Sequence, residues 1–62
     1  MYTTLKVDYR DGQRVKFNTE PCGPLTARSL LATVFNMETD AISARFYDDT
    51  KDKNKPLKMR RV

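Results

Sequence analysis

Leu25-Thr26-Ala27-Arg28-Ser29-Leu30-Leu31-Ala32-Thr33-Val34-Phe35-Asn36-Met37 places apolar residues at Ala27, Leu30, Leu31 and Val34. That i, i+3, i+4, i+7 spacing marks one face of an amphipathic helix, and Phe35 widens it. Arg28, Ser29, Thr33 and Asn36 fall on the opposite face. A lone amphipathic helix must bury its stripe against something else. Thr26 is placed to cap its N-terminus, and Leu25 to pack back as a hydrophobic staple. After Met37 the residues Glu38, Thr39 and Asp40 supply no glycine to close the last turn.

The segments on either side of this stretch alternate with period two. In Tyr2–Tyr9, Leu5, Val7 and Tyr9 point one way, while Tyr2, Thr4, Lys6 and Asp8 point the other. Val15 and Phe17 continue the apolar face, with Arg14, Lys16 and Asn18 opposite. The β-branched and aromatic content suits strands. A two-residue Asp11-Gly12 turn would set Val7 against Lys16 and mix the faces. A three-residue turn, Arg10-Asp11-Gly12, pairs Val7 with Val15 and Leu5 with Phe17, and puts Gly12 at the left-handed position of a G1 bulge. That register also sets Lys6 directly opposite Lys16.

Glu20-Pro21-Cys22-Gly23-Pro24 reads as a rigid connection in which the strand cannot continue. After the helix, Ala41–Tyr47 alternates again, with Ile42, Ala44 and Phe46 facing in and Ser43, Arg45 and Tyr47 facing out. Residues 48–56 form a polar, charge-alternating loop expected to be mobile. Leu57–Arg61 is a last short strand, with Leu57 and Met59 in and Lys58 and Arg60 out.

The order is therefore ββαββ: an α+β domain spanning residues 1–62, one sheet with the helix packed across one face. This order resembles a small β-grasp (ubiquitin-like) module over nearly the whole chain. The resemblance is topological and brings no family motif. It implies a last strand lying beside the first, with sheet edges at Arg14–Asn18 and Ala41–Tyr47. A ββαβ sheet with a disordered C-terminus is the alternative.

Composition narrows the function. The 62 residues include no histidine, one cysteine and two glycines. Without histidine the commonest general base and metal ligand is missing. Cys22 lacks an activating partner and a second cysteine, so a loop thiol or small core filler is its simplest reading. Asp48-x-Thr50-x-Asp52-x-Asn54 has the spacing of calcium ligands. Lys53 stands where the turn glycine belongs and Met59 where the bidentate glutamate belongs, so a solvated loop is expected. No catalytic set, cofactor or metal is expected, and no membrane span. One unpaired cysteine in so small a domain suits a reducing, cytoplasmic setting.

What remains is a surface. The chain carries 12 Lys and Arg against 8 Asp and Glu, a formal charge of +4. The strand pattern collects Lys6, Arg14, Lys16, Arg45, Lys58 and Arg60 on the outward sheet face, with Tyr2 and Tyr47 among them and Asp8 as the acidic exception. Such a face also serves solubility alone. Its functional reading is a small non-enzymatic binding or regulatory module that docks the basic face, or an edge strand, on an acidic protein partner. The alternative is nucleic-acid binding by the same cations and tyrosines. An edge strand could also pair with a second copy to form a homodimer.

Overall fold

The computed structural model describes residues 1–50 and 55–61. Its elements are β1 (Tyr2–Tyr9), β2 (Arg14–Cys22), α1 (Pro24–Met37), β3 (Ala41–Asp48) and β4 (Leu57–Arg60). The strands form one four-stranded sheet in the order β2-β1-β3-β4, every neighbour antiparallel. The helix lies over β3, β4 and β1, and the core is Leu5, Val7, Ala27, Leu31, Phe35, Ala41, Ala44 and Phe46.

The hairpin has the register that keeps both faces pure. Val7 pairs with Val15, Leu5 with Phe17, and Lys6 with Lys16. Tyr9 N–H donates to Gln13 O at 2.9 Å, Gly12 N–H donates to Tyr9 O at 3.0 Å, and Gly12 has φ +89°. A glycine suits that turn because a Cβ is strained at positive φ.

The strand order departs from the β-grasp expectation. β3 sits beside β1, where that arrangement places the last strand, so Ala41–Tyr47 is interior and the edges are β2 and β4. Burial explains the choice. β3 presents Ala41, Ala44 and Phe46 with no exposed surface, which suits a central strand. β4 has four residues, two of them exposed cations, which suits an edge.

Three further departures have local causes. First, β2 runs through Pro21 to Cys22. Its register to β1 shifts between Tyr2↔Cys22 and Thr4↔Asn18, so β2 carries two extra residues there. A proline is tolerated in such a bulge on an edge strand because no ladder N–H is needed. Second, a bulge between Tyr2 and Thr4 relative to β3 turns Tyr2 to the core side. There its ring meets Phe46 edge-on, centroids 5.7 Å apart. Third, Asp8 pairs with Ser43 but Tyr9 with Ala41, so Ile42 is the bulged residue. Ile42 is consequently 39% exposed, and Ala41 takes its place in the core.

The helix starts earlier than Thr26. Gly23 is the N-cap, Pro24 occupies the first turn, and no side chain caps it; proline's fixed φ and missing N–H suit that position. Leu25 is then 83% exposed and packs on nothing as a staple. The buried stripe is Ala27, Leu31 and Phe35, with Val34 at its flank. Leu30 stays outside it. At the other end Arg61 substitutes for the missing C-cap glycine. Its Nη2 donates to Phe35 O at 2.7 Å and Glu38 O at 3.4 Å, and its Nε to Ala41 O at 3.0 Å. The guanidinium also lies 4.3 Å from the centroid of the Phe35 ring.

Asp48 was expected in the polar loop. It closes β3 instead and is buried. Of the rest of that loop, residues 49, 50, 55 and 56 are described, while residues 51–54, and with them the Asp52 and Asn54 positions of the calcium-like spacing, lie outside the described residues. The Asp48 carboxylate accepts from the Met1 ammonium at 2.9 Å and from the Thr50 N–H and hydroxyl at 2.9 and 2.7 Å. These bonds, the ammonium's foremost, lower its pKa from 3.8 to about 2. A carboxyl that is more acidic when folded stabilises the fold above its unfolded pKa and loses that contribution as pH falls through its folded one. Asp48→Asn therefore lowers the unfolding midpoint at pH 6, and the difference from wild type shrinks as both are titrated from pH 4 towards pH 2. A pH-independent difference would contradict this.

Candidate functional site

The helix covers one face of the sheet and leaves the other open. On that open face the register aligns side chains in rows across the strands. Lys16 pairs with Lys6, Lys6 with Arg45, and Arg45 with Lys58. One cation from each strand thus forms a continuous row, about 14 Å long at the usual strand spacing. The next row holds Arg14, Asp8, Ser43 and Arg60. All six cations expected on this face lie on it, and Asp8 is the one acid among its paired positions.

Asp8 organises the middle of the patch. It accepts from Ser43 Oγ at 2.8 Å and from Arg45 Nη2 at 3.2 Å, and lies 3.6 Å from Arg14 Nε. Arg45 Nη1 also donates to the Tyr47 hydroxyl at 3.3 Å. Arg45 Nε is buried with no hydrogen-bond partner among the described residues. Arg45 is therefore tied to Asp8 and Tyr47, its charge partly answered. Lys6, Lys16, Lys58 and Arg60 form no ion pair among the described residues.

Tyr47 is on the face as expected, but its ring is engaged: the Lys6 ammonium sits 5.2 Å from its centroid. Tyr2 has left the face for the core. Two separate tyrosine stacking surfaces are thus reduced to one, already occupied by a cation. Cys22 lies at the far end of β2, partly buried against the core, its Sγ 3.8 Å from Tyr2 O. The core-filler reading accounts for it.

Like charges directly opposed across strands are unfavourable, by roughly 0.2–1 kcal/mol per pair. The row contains three such oppositions in succession; Asp8 relieves the two that involve Arg45 and leaves Lys16 against Lys6 unanswered. What the arrangement can do chemically is bind anions over an area, since it offers several long cations without an ion pair among the described residues around one hydrogen-bonded guanidinium.

Among the described residues no helix is long and apolar enough to cross a membrane. No protein-family model, curated protein or solved structure matches the chain.

Proposed function

We propose that this domain is a non-enzymatic binding module that docks its open sheet face on an acidic protein surface. One observation carries the reading: the cation row Lys16–Lys6–Arg45–Lys58, flanked by Arg14 and Arg60. A domain of this size has little stability to spare. Keeping four like-charged neighbours in register, as three opposed pairs, is unfavourable in isolation and becomes favourable against an anionic partner. Lys6, Arg14, Lys16, Arg45, Lys58 and Arg60 are the contact residues, and Tyr47 positions Lys6 and Arg45.

Protein carboxylates suit the face better than nucleic acid. Sequence-tolerant binding of single strands relies on aromatic rings open for base stacking. With Tyr2 in the core and Tyr47 under Lys6, the face has charge without a free ring. The test is affinity for an all-glutamate decapeptide, a single-stranded oligonucleotide and a DNA duplex, each titrated from about 20 to 200 mM salt. The peptide should bind at low salt and weaken as salt rises, at least as tightly per charge as either nucleic acid. Clearly tighter binding of the single strand would move the assignment to nucleic acid. No binding of any of the three would remove the docking face.

A further inference from the structure

Edge strand β2 borders the basic face on one side and an uncovered apolar groove on the other. Because the helix lies over β1, β3 and β4, the inward side of β2 has no lid. Phe17 is 41% exposed there, and Met37 on the facing helix is 76% exposed. Between them runs a groove of about 350 Å³ lined by Leu5, Phe17, Thr19, Val34, Met37 and Glu38. Leu30, Val34 and Met37 recur at i, i+4, i+7, so the helix presents a second apolar stripe to this side.

The outer edge of β2 pairs with no strand among the described residues. Along it Arg14, Lys16 and Asn18 point to the open face, and Val15 and Phe17 to the helix side, where Phe17 lines the groove. The regular ladder ends at Asn18, where the bulge begins, and Pro21 beyond it has no N–H to offer. A usable edge of about five residues remains.

Building on the docking of an acidic partner proposed above, we infer that β2 receives an extended segment of that partner in which acidic and apolar residues alternate. A strand added to an edge sends successive side chains to opposite faces. Its acidic residues then lie beside Arg14 and Lys16. Its apolar residues lie on the helix side beside Val15 and Phe17, and the one beside Phe17 fills the groove against Val34 and Met37. Glu38 at the groove repels a segment bound with its faces exchanged. A second copy of this chain fits poorly: two edges 14–18 paired antiparallel over their full length would set Lys16 of one against Lys16 of the other.

The test uses three decapeptides: alternating Glu-Val, a Glu-Glu-Val-Val repeat of the same composition, and all-glutamate. The alternating peptide should bind about tenfold tighter than the period-four peptide, since only it can place acids and apolar groups on separate faces. Phe17→Ser and Met37→Gln, each shown by circular dichroism to be folded, should each weaken the alternating peptide about fivefold or more and leave the all-glutamate peptide unaffected. Equal affinity for the first two peptides, or indifference to both substitutions, overturns the edge site while leaving the basic face standing. Failure of the all-glutamate peptide as well removes the basic face itself. Concentration-dependent dimerisation of the free protein at micromolar concentrations, abolished by Phe17→Ser, would assign the groove to a second copy and overturn the inference.

Discussion

Arg61→Ala lowers the unfolding free energy by about 2 kcal/mol and the melting midpoint by roughly 10 °C. Three backbone carbonyls accept from this one guanidinium: Phe35 and Glu38 at the helix end, and Ala41 at the start of β3; Glu38 O also accepts from Ala41 N–H at 3.0 Å. Phe35 O receives the shortest of these bonds, at the end of a helix with no C-terminal glycine to close its last turn. Alanine removes the charged hydrogen bonds and the stacking on Phe35 together. Lysine supplies charge without the planar fork, so Arg61→Lys should recover less than half of the loss. Hydrogen exchange should quicken most in the last turn of the helix and the first residues of β3. An Arg61→Ala protein that melts within 2 °C of wild type (about 0.4 kcal/mol) would show that these bonds are not formed in solution.

Lys16→Glu combined with Arg60→Glu should weaken binding of the all-glutamate peptide about a hundredfold at low salt. The two residues lie at opposite edges of the open face, on β2 and β4, and neither makes an ion pair among the described residues. Their effect on stability should have the other sign. Glutamate at position 16 faces Lys6 and replaces a like-charge opposition with an attraction. At position 60 the cross-strand neighbour is Ser43, which is neutral. The melting midpoint should therefore hold or rise by a few degrees while affinity collapses. A purely solubilising role for the lysines predicts no such divergence. Undiminished binding would exclude the face, and a parallel loss of stability and binding would make both residues structural.

Much of this molecule is written in local periodicity. The alternation of Tyr2–Tyr9 and Val15–Phe17, together with a glycine at the third turn position, suffices for the hairpin register. Register in turn places Lys6, Arg14, Lys16 and Asp8 on a common face. Ala44 and Phe46 likewise carry Arg45 and Tyr47 to that face by alternation alone. Period-two reasoning fails where a bulge changes the count, at Thr3 and at Ile42. Neither position has a glycine or proline to announce it; what drives them is pairing with a neighbouring strand far away in sequence. The order of β3 and β4 is likewise a competition for burial between whole strands, invisible to any one of them. Asp48 was hidden for a related reason. Its partner is the amino group of Met1, 47 residues away.

Arg61 was within reach of sequence reasoning. Counting from Leu57 and Met59 places it on the helix side of β4, and an inward arginine near a helix without a C-cap has an evident task. The groove beside Phe17 was less accessible. Phe17 has the pattern of a core residue, and only the lateral position of the helix leaves it half uncovered.

The central claim concerns where an anionic partner sits. Titrating the isotope-labelled protein with the all-glutamate peptide and following backbone and side-chain resonances tests it directly. The account predicts the largest shifts at Lys6, Lys16, Arg45 and Lys58, smaller ones at Arg14 and Arg60, and little change at the exposed helix positions Arg28, Ser29 and Thr33. Shifts centred on the helix, or spread evenly over the surface with no preference for the sheet, would contradict it.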